Sequence, residues 1–242
     1  MRDRIMHKPH RLTCFAHRGG RSIGVENALE TIEKALALGV DGVEIDIWLA
    51  GGQLIVTHDR RLGRTVKGEG SLLKLSTDEV ASLRHYDDSP VATLKEVLEL
   101  IGQRARLNIE IKGPGCASPI VELLTNYCQQ SNTPLDNYII SSFDHRQLQQ
   151  VKQRLPDVPI GALVDGILLD LAACAESLGA ISLHAAIDFL SDELIDDAKN
   201  RGLKVYVYTV NEVDDFEDLM NRGVDGVFTD FPERLLEFNK QL

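Results

Sequence analysis

Apolar and polar positions alternate along this chain in two periods. Short apolar runs that read as buried strands are each followed by a polar turn and a stretch with apolar residues three and four apart, the spacing of one helix face. Strands are expected at Leu12 to Ala16, Val40 to Leu49, Leu107 to Ile111, Tyr138 to Ser141, Pro159 to Leu163, Ala180 to Leu183, Leu203 to Tyr208 and Val224 to Phe228. A helix opened by Glu26-Asn27 carries Leu29, Ile32, Ala35, Leu36 and Leu38. Others are expected at Thr93 to Ile101, Pro119 to Gln130, His145 to Arg154, Ile167 to Leu178, Asp192 to Arg201, Glu212 to Asn221 and Pro232 to Phe238. One junction is repeated: Gly39-Val40-Asp41-Gly42-Val43 and Gly223-Val224-Asp225-Gly226-Val227 are identical, each leaving a helix and entering a strand. Eight such pairs in 242 residues fit a closed (β/α)8 TIM barrel better than an open doubly wound sheet, whose G-x-G-x-x-G fingerprint after the first strand is missing.

One segment interrupts the alternation. A tight Ala50-Gly51-Gly52 turn sends the chain back through Gln53 to Thr57, a hairpin that delivers His58-Asp59 to the barrel mouth. The next core helix waits for the capping box of Thr93 and Glu96, so residues at about 59–92 form a small insertion between strand 2 and helix 2. Within it, Ser76 and Glu79 start one short helix, and the remainder reads as a loop draped over the mouth. No linker or low-complexity stretch appears, and residues 1–242 are expected to form a single domain.

Charge narrows the partners. With 26 Lys and Arg against 37 Asp and Glu, the formal net charge is −11, which argues against nucleic acid and against stable membrane association. No apolar run approaches a membrane span and the first residues are too polar for a signal peptide, so a cytoplasmic protein is expected. Cys14, Cys116, Cys128 and Cys174 lack C-x-x-C spacing and are expected to be reduced and mostly buried.

Candidate chemistry lies at the strand ends, where barrels of this kind carry their sites. His17-Arg18-Gly19-Gly20 ends the first strand; alone it reads more readily as a capped turn than as an active site. In Val43-Glu44-Ile45-Asp46-Ile47 the period of two puts Glu44 and Asp46 on one face, and in Asn108-Ile109-Glu110-Ile111-Lys112 it puts Glu110 beside Lys112. An exposed edge strand would produce the same alternation, but its recurrence on two strands favours a site. Three converging carboxylates repel unless protonated or bridged, and all-oxygen donors suit one divalent cation, Mg²⁺ or Ca²⁺. His17 and His58 then supply an acid and a base, and Arg18 and Lys112 a clamp for a phosphoryl group. His17, next to Arg18, is expected to be the base and His58 the acid. His7, His10, His85 and His145 are expected at the surface, and His184 in a structural role.

These residues resemble the glycerophosphodiester phosphodiesterase family of bacterial cytoplasmic type. Its His-Arg-Gly, Pro-Glu-Asn-Thr, Glu-x-Asp, His-Asp, Glu-x-Lys, Val-x-Val-Trp-Thr-Val-Asn and Thr-Asp-x-Pro motifs stand here in order. They are His17-Arg18-Gly19, Val25-Glu26-Asn27-Ala28, Glu44-Ile45-Asp46, His58-Asp59, Glu110-Ile111-Lys112, Val205-Tyr206-Val207-Tyr208-Thr209-Val210-Asn211 and Thr229-Asp230-Phe231-Pro232. The resemblance implies a TIM barrel that hydrolyses small glycerophosphodiesters to glycerol 3-phosphate and an alcohol. It implies metal ligands at Glu44, Asp46 and Glu110, and acid and base at His17 and His58. Glu26 and Asn27 would support Arg18 and cap the helix, and Tyr208, in place of the family tryptophan, would wall the glycerol. A monomer or homodimer is expected. Two alternatives remain at this stage: a phospholipase-type enzyme on the same barrel, and an inactive barrel serving as a binding module. Whether water or the glycerol 2-hydroxyl attacks first is open.

Overall fold

The computed structural model describes residues 10–242; the expected surface histidine His7 lies outside them. Nine strands occur among the described residues: β1 (Thr13–Ala16), β2 (Gly42–Ala50), β3 (Gln53–Val56), β4 (Arg106–Ile111), β5 (Tyr138–Ser142), β6 (Ile160–Val164), β7 (Ser182–Ala186), β8 (Lys204–Tyr208) and β9 (Gly226–Thr229). The helices are α1 (Leu29–Leu38), α2 (Thr77–Ala81), α3 (Leu94–Ile101), α4 (Ala117–Ser131), α5 (His145–Arg154), α6 (Ala173–Ser177), α7 (Asp192–Asn200), α8 (Val213–Asn221) and α9 (Pro232–Lys240). All strands but β3 are parallel and form a ring, because β1 pairs with β9 on one side and β2 on the other. This is the closed (β/α)8 barrel. The ninth strand, β3, folds back antiparallel on β2, pairing Ile47 with Val56 and Ala50 with Gln53.

Alternation along each strand divides the core in two. Outward residues such as Cys14, Val43, Ile45, Ile109, Ile140 and Val205 pack against the helices in one large cluster. Inward residues of the lower barrel are aromatic: Phe15 stacks on Phe228 with ring centroids 5.0 Å apart and meets Tyr206 edge-on at 5.3 Å. His184 joins this plug, 5.0 Å from Phe228, with its Nε2 2.9 Å from Ser182 Oγ. Space for it comes from Gly161, where a Cβ would lie 2.4 Å from His184 Nε2.

The repeated junction has a physical reason. Asp41 accepts a hydrogen bond from the Cys14 amide at 2.8 Å, and Asp225 accepts one from the Val205 amide at 2.8 Å, so each aspartate ties a strand start to its neighbour. The glycines that follow lie against β1 on its two sides: a Cβ on Gly42 would come 2.4 Å from the Phe15 ring, and one on Gly226 2.5 Å from Thr13 O.

Three expectations are corrected. Helix α6 covers Ala173–Ser177 rather than starting at Ile167, because Gly166 at φ 147° and Leu171 at φ 51° break the run and leave Ile167 and Leu169 exposed. The segment between β3 and α3 is more than a draped loop: Val66, Leu72, Val80 and Leu83 pack with Trp48, Ala50 and Ile55 as a core of their own. That core buries His85, expected at the surface, whose Nδ1 lies 3.3 Å from Thr65 O. His10 and His145 are also half-buried, with Nε2 atoms 2.8 Å from Val224 O and 3.0 Å from Leu163 O. Of the cysteines, all free, Cys14 and Cys116 are buried and Cys128 and Cys174 half-buried. No helix of the described residues is long and apolar enough to cross a membrane.

Gly42→Ala should overpack the plug and lower stability by about 1–3 kcal/mol; an unchanged denaturant midpoint would refute this account of the repeated glycine. Burial pushes the His184 imidazole down to about 3. Between its ordinary value near 6.5 and that point, the unfolded chain binds a proton that the folded chain refuses. Stability is therefore retained above that window and lost as pH falls through it, and His184→Gln should flatten the stability-pH curve there.

Candidate active site

The ends of β1, β4 and β9, the first half of β2 and the residue pair after β3 converge on one point. Glu44, Asp46 and Glu110 are buried, and one carboxylate oxygen from each lies within 4.8 Å of the other two. Register explains it: β2 and β4 pair Glu44 with Asn108 and Asp46 with Glu110, so inward residues of adjacent strands stand side by side. Burial raises the Glu44 carboxyl well above the usual range, and repulsion from Asp46 and Glu110 adds to it. Glu110 is raised in the same way by burial and by Asp46, against the pull of Lys112.

Each carboxylate has an anchor. The Arg18 amide donates to Glu44 Oε2 at 2.7 Å, made possible by the left-handed backbone at Arg18, φ 52°. Glu44 Oε1 has no hydrogen-bond partner among the described residues. Asn27, also left-handed at φ 63°, donates to Asp46 Oδ2 at 3.0 Å and accepts from the Asp46 amide at 3.2 Å. The expectation that Asn27 caps the helix is therefore corrected: α1 starts after Ala28 without a side-chain cap, and Asn27 is spent on Asp46. Lys112 Nζ lies 2.7 Å from Glu110 Oε1 and 3.7 Å from Asp46 Oδ1. Burial works to lower the Lys112 ammonium, but Glu110 and Asp46 outweigh it and raise it. The Arg18 guanidinium stands 3.5 Å from Asp46 Oδ2 and 3.3 Å from Glu26 Oε1.

Both histidines are held by their Nδ1 atoms. His17 Nδ1 is 2.8 Å from Asp230 Oδ1, and His58 Nδ1 is 2.9 Å from Asp59 Oδ1. Trp48 Nε1 donates to His58 O at 3.1 Å and fixes its backbone. Burial holds the His58 imidazole below its ordinary value against the pull of Asp46 and Asp59. Burial would raise Asp230, but its bond to His17 and the charges of His17 and Arg21 keep it below the usual range.

The floor is a cavity of about 20 Å³ lined by His17, Glu44, Glu110, Asn108, His184 and Tyr208 among others. His184, assigned a structural role above, thus reaches the underside of the site. Tyr208 donates its hydroxyl to Val164 O at 2.8 Å and meets Phe143 edge-on at 6.0 Å, forming a wall above the floor. All ten residues singled out from the sequence therefore lie in or against this site. Four others were not assigned roles: Asp59 and Asp230, which hold the imidazoles, and Arg21 and Arg64, which join the carboxylates around them. Asp59 and Asp230 were visible inside the His-Asp and Thr-Asp-x-Pro motifs; the arginines gave no signal.

Three buried carboxylates with one unpartnered oxygen and mutual repulsion are a donor set for a hard cation. The model of the glycerophosphoryl diester phosphodiesterase family matches residues 17–234. A glycerophosphodiester phosphodiesterase of Caldanaerobacter subterraneus is 34% identical, the match covering 92% of this chain and 95% of that one. The fold matches an Oleispira antarctica phosphodiesterase, solved in complex with the product sn-glycerol-3-phosphate, with a TM-score of 0.85 and 29% identity over 94% of this chain and 96% of that chain. It also matches a glycerophosphodiester phosphodiesterase of Thermotoga maritima, with a TM-score of 0.79 and 27% identity over 96% and 99% of the two chains. With a family match spanning nearly all of the barrel, the chain belongs to the glycerophosphoryl diester phosphodiesterase family.

Proposed function

We propose that the cluster of Glu44, Asp46 and Glu110, flanked by His17 and His58, hydrolyses glycerophosphodiesters to glycerol 3-phosphate and an alcohol. The observation that carries the reading is the pairing of three buried carboxylates with two imidazoles, each anchored through Nδ1 to an aspartate. Anchoring at Nδ1 leaves Nε2 of each ring as the atom that exchanges protons with substrate.

Glu44, Asp46 and Glu110 would hold one divalent cation, Mg²⁺ or Ca²⁺. The three carboxylates outnumber the cations Arg18 and Lys112 by one; a divalent ion held there would reverse that sign and supply positive charge suited to a singly charged phosphodiester. Arg18 and Lys112 orient the phosphoryl group and meet the negative charge that develops on it. His17 takes the proton of the attacking hydroxyl, and Asp230 stabilises the imidazolium so formed. His58 donates a proton to the departing alcohol. The lowered His58 value makes its imidazolium a stronger acid, though a scarcer one at neutral pH. Tyr208 walls the glycerol moiety. Free cysteines and an acidic balance of charge support a cytoplasmic enzyme working on a small soluble substrate, as a monomer or homodimer, with residues 1–242 as one catalytic unit.

Metal should stabilise as well as activate. At a hundredfold excess over Kd the gain is about 2.7 kcal/mol, roughly 5–10 °C in Tm for a chain of this size. Glu44→Gln should abolish that increment and, by relieving repulsion, raise the Tm of the metal-free protein. Turnover and Tm indifferent to chelation would sink the three-carboxylate site. The histidines separate by leaving group: choline needs a proton to depart and nitrophenol does not. His58→Ala should lose most activity on glycerophosphocholine and recover much of it on glycerol nitrophenyl phosphate, whereas His17→Ala should be poor on both. The reverse pattern exchanges the roles.

A further inference from the structure

The ion pairs around the mouth join end to end. From His17 the path runs to Asp230, whose Oδ2 lies 3.3 Å from Arg21 Nη1; Arg21 Nε is 3.0 Å from Glu26 Oε2. Glu26 is buried and takes Arg64 on both oxygens, Nη1 to Oε2 at 3.1 Å and Nη2 to Oε1. Arg64 Nε then donates to Asp59 Oδ2 at 2.5 Å, and Asp59 Oδ1 meets His58 Nδ1 at 2.9 Å. Glu26 also receives Arg18 Nη1 at 3.3 Å. Arg64 is therefore the residue through which the support of His58 meets the support of Arg18 and His17.

We infer that Arg64 is a positioning residue for the reaction: it holds Asp59 in the orientation that aims His58 and ties that orientation to the phosphate-binding side through Glu26. The geometry requires an arginine. Asp59 and Glu26 are reached from three nitrogens of one planar fork, Nε toward one acid and the two terminal nitrogens toward the other, a division that a single ammonium cannot reproduce. An isolated surface ion pair is worth little. Here, however, burial would raise Glu26, and the Arg64 bond together with the charge of Arg18 holds it below the usual range. Asp59 is a quarter exposed and, apart from its neighbour His58, Arg64 is the partner that fixes its second oxygen. The segment carrying Arg64 is rigid enough for this task, since Gly63 and Val66 on either side are tied back: the Gly63 amide donates to Val66 O at 2.8 Å, and Val66 is buried in the core of that segment.

The inference rests on the acid role proposed for His58, and its test separates the two. Arg64→Gln and Arg64→Lys are assayed in the metal-saturated enzyme beside His58→Ala and His17→Ala, with kcat and KM on glycerophosphocholine and on glycerol nitrophenyl phosphate, and Tm for each. Removing a partner that orients a working imidazole costs on the order of 10- to 100-fold. Arg64→Gln should lose that much kcat on glycerophosphocholine with little change in KM, lose far less on the nitrophenyl substrate, and Arg64→Lys should fall between. If His58→Ala depends on the leaving group and a folded Arg64→Gln does not, the inference fails while the acid role stands. If His58→Ala shows no such dependence, the acid role fails, and the inference is then decided by whether Arg64→Gln reproduces the His58→Ala ratio between substrates or departs from it. Should Arg64→Gln not fold, the same comparison on Arg64→Lys decides.

Discussion

Three carboxylates buried within 4.8 Å of one another are the constraint from which the rest of the upper barrel follows. Such a cluster is costly: burial and mutual repulsion push Glu44 and Glu110 toward their neutral forms. Almost every nearby feature offsets that cost. Arg18 bends into the left-handed region to aim its amide at Glu44, Asn27 does the same to grip Asp46, and Lys112 lies between Glu110 and Asp46.

Rigidity comes from below. The aromatic plug of Phe15, Tyr206 and Phe228, with neutral His184 among them, fills the barrel under the carboxylates and leaves only a small cavity between. Charge is thus confined to one layer, and the layer beneath it cannot solvate or relax it. Parallel strands in register convert a two-residue alternation into a fixed lateral spacing, so that Glu44, Asp46, Asn108 and Glu110 face one another with no loop involved.

Whatever depends on local periodicity was legible from the residue order. The barrel, the hairpin after β2, both capping boxes and the carboxylate cluster rest on repeats of two or on positions three apart. What depends on contacts across the chain was not. Arg21 and Arg64 sit in irregular loops, where a charge has no period to mark it, and their partners lie at Glu26, Asp59 and Asp230. Asn27 was read as a helix opener because Asn at such a position usually caps, yet its backbone is left-handed and its amide belongs to Asp46. Ile167-Leu168-Leu169 mimicked a helix face, and only the backbone at Gly166 and Leu171 shows otherwise. His85 looked exposed because the segment between β3 and α3 was not expected to build a core.

The pairing of β1 with β9 brings the first and the last strand of the ring together at the site. His17 is among the first barrel residues to leave the ribosome, whereas Asp230, which holds its ring, is among the last. The carboxylate cluster draws only on β2 and β4, but the imidazole of His17 has its anchor only where β9 pairs with β1 and closes the ring. A chain clipped ahead of β9 would therefore keep the residues of the carboxylate cluster and lose the anchor of His17, so the seam that closes the ring also completes the site.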